Sequence, residues 1–182
     1  MARQLPSQET LLQLLHYDPA TGKLYWKSRA LSRFPDERAW KSWNTNYAGQ
    51  EAFTSNSSGY KVGTIDRIRY RAHRIIWMMV YGEAPIQIDH IKGIRSDNRL
   101  EKLRPANNGV NRKNQCRSVS NSSGVTGVYW NKAAGKWQAY IVDEGEYSYL
   151  GLFTELVDAA SARKAAEVAK GFHPNHGREA IV

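Results

Sequence analysis

An aspartate and a histidine stand side by side at Asp89 and His90, followed by KGIRSDNRLEKLRP and then by ANNGVNRKN. A carboxylate and an amide oxygen are hard donors suited to a magnesium-like ion that keeps several of its waters. Such an ion stabilises the charge that develops on a phosphate, and a neutral imidazole takes a proton from an attacking water near neutral pH. The chemistry these residue types suit is phosphodiester hydrolysis. Taken alone, the dipeptide reads as a surface hydrogen bond. Eight basic residues between Lys92 and Arg117, against two acidic ones, tilt the reading toward a polyanion.

Positioning these groups places demands on the chain. Adjacent residues of a regular strand point to opposite faces, so Asp89 and His90 share one site only where the strand ends or twists, as KGIRSD allows. LEKLRP then returns the chain. ANNGVNRKN predicts a short helix capped by Asn107 or Asn108, with Asn111 and Asn114 three apart on one side. Hairpin and helix together are expected to bring Asn111 opposite Asp89.

The 182 residues suffice for one medium domain or two small ones. With 26 Lys and Arg against 17 Asp and Glu, the formal charge is +9, which favours a polyanionic partner through counterion release and long-range steering. A single cysteine, Cys116, excludes an internal disulfide framework and a multi-cysteine zinc site. No apolar run approaches the roughly 20 residues of a membrane helix, and MARQLPSQETLL lacks the apolar core of a secretion signal. The expectation is a soluble intracellular protein with no membrane partner, a monomer with a dimer left open.

The pattern along the chain predicts an α+β protein in five parts. Residues 1–60 read as a β-rich N-terminal region that opens with a short helix through Leu11, Leu12, Leu14 and Leu15, capped at Ser7. Short strands are expected from Trp43 onward, and RAHRIIWMMVYG reads as a helix ending at Gly82. Residues 61–117 hold the hairpin and helix, and 118–123 a polar linker. Residues 124–171 form three short antiparallel strands, with turns at AAGK and DEGE, covered by one helix capped at Thr154 and stopped by Gly171. The tail at 172–182 reads as flexible, its His173 and His176 lacking further donors to complete a ligand set.

The segment around Asp89 and His90 resembles the HNH endonuclease motif, two strands and a helix around one metal, and is similar to the small homing-type enzymes of phages. YDPATGKLYW, WNTNYAG, Gly59-Tyr60 and AHRIIW carry the likeness across roughly residues 15 to 117. The resemblance implies His90 as general base, Asp89 and Asn111 as ligands of one Mg2+ or Mn2+, and His73 and Asn114 as supporting residues. Arg74, Arg99, Arg104, Arg112 and Lys113 are candidates to hold phosphates. His73 reads equally as a packing residue beside Trp77.

One position departs from the family pattern. Lys102 stands in LEKLR where an asparagine usually precedes Leu-Arg, and lysine has no side-chain acceptor with which to reproduce an amide clamp. Residues 123 to 171, through GVTGVYW, GKWQAYI and YLGLF, resemble the DNA-binding domain of plant ethylene-response transcription factors. That likeness implies a sheet entering the major groove of double-stranded DNA. The contacts would come from Trp130, Lys132, Lys136, Gln138, Tyr140 and Tyr149, with Trp137 turned toward the helix. The expectation is a metal-dependent nicking endonuclease, acting in the host cytoplasm if phage-encoded. The alternative is a catalytically silent DNA-binding protein that keeps the architecture.

Overall fold

The computed structural model describes residues 4–179, and the chain divides into two compact units at the Pro105/Ala106 junction. In the first unit, helix α1 (Gln8–Leu14) starts where the Ser7 side chain accepts from the amide of Thr10. Its Leu11 and Leu14 are fully buried, with Leu15 just beyond. Strands β1 (Leu15–Asp18) and β2 (Lys23–Trp26) form a hairpin whose turn is held by Asp18, which accepts from Ala20 N. Gly22 closes that turn at φ +73°, a conformation that costs an L side chain about 1–2 kcal/mol.

The stretch expected to begin a series of strands at Trp43 is instead helix α2 (Glu37–Tyr47), capped by Asp36 accepting from Ala39 N. Tryptophan and tyrosine favour strands by propensity, but Trp43 and Tyr47 lie four apart and meet at 5.4 Å between ring centroids. Trp43 also meets Trp26 edge-on at 5.9 Å, and Arg29 stacks on it at 4.0 Å. Aromatic packing overrides propensity here, so residues 1–60 are a mixture of helix and short strand.

Strand β3 (Glu51–Ala52) completes the first sheet beside β2. Strands β4 (Ser55–Ser57), β5 (Tyr60–Ile65) and β6 (Ile68–Arg71) make an antiparallel meander with left-handed turn residues at Ser58, Gly59, Asp66 and Arg67. Helix α3 (Ala72–Tyr81) follows directly and ends at Gly82 in the left-handed conformation, as the sequence predicts. Leu11, Leu14, Ile65, Ile75 and Ile76 form one dry core that fixes α1, α3 and the meander together.

Strands β7 (Gln87–His90) and β8 (Leu103–Ala106) then pair as a two-stranded hairpin. A single 3-10 turn at Leu100–Lys102 leads into β8. Helix α4 (Asn108–Arg112) comes next, and Asn107 is its cap, accepting from Val110 N.

In the second unit, β9 (Val128–Asn131), β10 (Lys136–Asp143) and β11 (Glu146–Phe153) form an antiparallel sheet in sequence order, with α5 (Leu156–Ala169) packed on it. Helix α5 begins with Glu155 at its cap position and no side-chain cap bond, so Thr154 does not take that role. Gly171 follows the helix at φ +66°. The buried apolar core of this unit is small, built on Val128, Ala139 and Ala159. Residues 172–179 are not a free tail. His173 N donates to Lys113 O, Gly177 N to Gln115 O and Arg117 N to Arg178 O. These bonds tie the segment along residues 113–117. No helix among the described residues is long and apolar enough to cross a membrane.

Candidate active site

Strand β7 ends at His90, and the loop after it turns at once, with Gly93 N donating to His90 O. That turn separates the two neighbouring side chains. His90 points inward and is 4% exposed, while Asp89 meets the facing strand of its own hairpin. There, Nε and Nη2 of Arg104 both donate to Asp89 Oδ2, at 3.0 and 2.8 Å. Arg104 was expected to hold a phosphate. Its guanidinium instead neutralises the carboxylate expected to hold a metal.

The His90 ring lies edge-on to that of His73, with centroids 5.0 Å apart, and Tyr60 lies 5.3 Å from His73 and 5.8 Å from His90. The Nε2 of His90 is 3.2 Å from Oδ1 of Asn98, which is itself 2% exposed. A neutral imidazole that donates to an amide oxygen carries its hydrogen on Nε2. Burial depresses the basicity of His90, against the opposing effects of Asn98, Asp89 and Asp97. Burial, reinforced by the neighbouring His90, Arg71 and Arg74, lowers the pKa of His73 to about 3. Both rings are therefore neutral near pH 7. His73 packs at the site as well as beside the core, and its buried Nδ1 has no hydrogen-bond partner among the described residues.

This arrangement has a pH consequence. An unfolded histidine titrates near 6.5, and both folded pKa values are lower, so between those values the unfolded chain binds more protons. Stability is complete above about pH 6.5 and falls with acidification, at up to roughly 1.4 kcal/mol per pH unit for each histidine. For His73 the loss continues to about pH 3. Urea unfolding at stepped pH should show this slope, shallower in His73→Phe; an unchanged slope would place the proton uptake elsewhere.

Asn98 is the site residue that sequence reading missed. It lies within SDNR, in the loop between β7 and β8, four residues before Lys102. Lys102 ends the 3-10 turn and its Nζ pairs with Glu101 at 2.7 Å. Its backbone carbonyl accepts from Ile91 N and so closes the hairpin loop. Arg99 donates through Nε and Nη2 to the two carboxylate oxygens of Asp97. Arg74 donates to the carbonyls of Pro85 and Ile86. The three arginines proposed for phosphate in this unit are thus all engaged within the protein.

Asn111 and Asn114 belong to the second unit. Asn114 is 3% exposed, and its Oδ1 accepts from Nη1 of Arg178 at 3.0 Å. Lys113 pairs with Asp143 at 2.9 Å, while Arg112 lines a cavity of about 700 Å³ with Lys113, Tyr140, Phe172 and His176. On the sheet, the register pairs Tyr129 with Gln138 and Tyr140 with Tyr149, whereas Trp130 lies opposite Trp137. Strand alternation then puts Lys136, Gln138, Tyr140, Tyr147 and Tyr149 on the outer face. Trp130 falls on the face of Val128 and Ala139, which packs on α5, and Lys132 lies in the β9–β10 turn. Tyr147, absent from the expected contacts, stacks on Tyr140 at 5.3 Å and accepts from Gln138 at 3.2 Å.

The donor set does not fit a divalent ion as it stands. Asp89 Oδ2 already carries two guanidinium hydrogen bonds, and a cation beside Arg104 would meet its charge. No group of three or more His, Cys, Asp or Glu converges among the described residues.

Residues 70–113 match the HNH endonuclease family. The matched span runs from β6 through α3, the β7–β8 hairpin and α4, and its strand–strand–helix order is consistent with an HNH-like fold. The segment is nuclease-like. Protein 3.8 of Escherichia phage T7 is 33% identical over 78 residues, which are 42% of this chain and 64% of that protein. The chain thus spans less than two thirds of the relative it matches. No solved structure matches.

Proposed function

We propose that this protein binds double-stranded DNA on an HNH framework whose catalytic centre is closed in the arrangement described. The observation that carries the closed state is the Arg104 guanidinium on Asp89 Oδ2. Support for nucleic acid comes from the family match over residues 70–113 and the formal charge of +9. The outer face of the C-terminal sheet, with Lys136, Gln138, Tyr140 and Tyr149, is the surface we assign to duplex anchoring, after its resemblance to the ethylene-response-factor domain. The likeness to a phage protein favours a phage source and action in a host cytoplasm.

A second reading, metal-dependent nicking by a homing-type enzyme, is favoured by the neutral, buried His90. It requires Arg104 to leave Asp89, so that Asp89 and Asn111 can hold Mg2+ or Mn2+ while His90 receives a proton from water.

The two readings separate in one experiment on the full chain. Purified protein, His90→Ala and the double variant Lys102→Asn/Arg104→Gln are mixed with supercoiled plasmid in magnesium, manganese or chelator. Duplex binding is followed in parallel at several salt concentrations. The expected result is salt-sensitive binding without metal-dependent relaxed circles from the unaltered protein. Relaxed circles that need metal and vanish in His90→Ala would overturn the closed-site reading and establish a nickase. Failure to bind duplex at low salt would remove DNA as the partner.

A further inference from the structure

Two cations near His90 belong to none of the contacts assigned above. Arg71, at the junction of β6 and α3, lies over the Tyr60 ring at 4.3 Å. Arg95, in the loop that follows β7, lies over the same ring at 5.1 Å and donates through Nη1 to Ser58 O at 3.0 Å. Both residues are exposed. Among the described residues neither joins an ion pair, since the nearby acids are taken: Asp97 by Arg99 and Asp89 by Arg104. Three separate segments, the β4–β5 turn, the β6–α3 junction and the β7–β8 loop, therefore gather two uncompensated guanidiniums on one tyrosine. That tyrosine touches both histidines.

We propose that Arg71 and Arg95, backed by Tyr60, form a clamp for one backbone phosphate of DNA at the mouth of the His73–His90 pair. Two like charges on one ring repel each other, and an anion between them removes that cost. Guanidinium suits a phosphodiester because its planar donors reach two oxygens at once. Stacking on the ring holds each fork in place before the ligand arrives. The histidines are neutral, so they add no competing charge, and a phosphate held here lies beside the ring that the nicking reading uses as a base.

This clamp rests on the DNA-binding reading, and its test is arranged so that the two can fail separately. Duplex affinity and its salt dependence are measured for the full chain, for Arg71→Gln/Arg95→Gln, and for Arg38→Gln, which removes an exposed charge on α2 outside the cluster. Circular dichroism melts confirm that each variant is folded. The double variant should lose roughly 30-fold in affinity, with a salt slope shallower by about one to two units; Arg38→Gln should stay within about twofold. Arg71→Lys/Arg95→Lys keeps both charges and should recover only part of the loss, because ammonium neither stacks nor forks in the same way.

In parallel, ring resonances of His73 and His90 are followed while inorganic phosphate, and separately a short duplex, is added. Shifts in the unaltered protein that disappear in the double glutamine variant support the clamp. If phosphate gives them and duplex does not bind at all, the clamp stands as an anion site and the DNA reading fails. A folded double variant with unchanged affinity, salt slope and histidine shifts would overturn the clamp while leaving DNA binding in place.

Discussion

Replacing Glu167 with alanine is expected to destabilise the C-terminal unit by about 3–5 kcal/mol, because it strips the counter-charge from a buried guanidinium. Arg163 is 3% exposed and Glu167 4%. Their Nε to Oε1 bond is 2.9 Å, and Arg163 also donates through Nη1 to the carbonyl of Tyr140 at 2.7 Å and approaches Nε2 of His176 through Nη2 at 3.3 Å. With Glu167 gone, the positive charge stays in a low-dielectric setting with only dipoles around it. The apolar core of this unit is too small to absorb that cost. Glu167→Gln keeps an acceptor for Arg163 and should lose less. Arg163→Met/Glu167→Leu removes both charges, so it should be more stable than Glu167→Ala, although it gives up the contacts of Arg163 with Tyr140 and His176 and the Lys164–Glu167 pair. Urea unfolding of the three variants checks the order; a double variant as unstable as Glu167→Ala would show that the packing of Arg163, and not its charge, dominates.

Gly22→Ala is expected to cost about 3 kcal/mol or more, whereas Gly49→Ala costs only about 1–2 kcal/mol. Both glycines have positive φ, +73° and +80°, so backbone strain is common to the two. Their surroundings differ. A Cβ on Gly22 would sit 2.6 Å from Arg99 N and 2.8 Å from Asn98 C, both backbone atoms, while a Cβ on Gly49 meets nothing within 4 Å. The loop that must move carries the Asn98 amide to His90, and it is pinned on its other side by the hydroxyl of Tyr17, which donates to Asn98 O and accepts from Leu100 N. The difference between the two alanine variants in thermal unfolding isolates the close approach, and the Nε2 resonance of His90 should move only in Gly22→Ala. Equal melting of the two would mean that the 98–99 loop shifts at little cost.

Helix α3 was readable because RAHRIIWMMVY is apolar over a helical length and meets a glycine. The β-hairpin, a cap at Asn107 or Asn108 and the order of β9, β10, β11 and α5 followed from turn residues and alternation, and the fold takes Asn107 as the cap. Helix α2 was misread because Trp40, Trp43 and Tyr47 are strand formers by propensity, and the stacking of Trp43 on Tyr47 and Trp26, with Trp40 Nε1 donating to Arg29 O, makes the helix preferable. The tail was misread because its anchors, at Lys113, Gln115 and Arg117, lie more than 55 residues away along the chain.

The sequence by itself determined the residue types that make phosphate chemistry conceivable, the basic charge, the strand–strand–helix order after residue 86, and the absence of an amide at position 102. These are properties of composition and local periodicity, where neighbours in the chain decide the outcome. Tertiary structure alone decided which cations remain available. Arg74, Arg99 and Arg104 are engaged by carbonyls or carboxylates, while Arg71 and Arg95 share a tyrosine with no counter-charge among the described residues. It also decided that His73 and His90 are neutral neighbours and that Asn98 supplies the buried amide. Ion pairing and desolvation act over a few ångströms of space, and groups as far apart in the chain as Tyr60 and Arg95 come within that range only when the core has assembled.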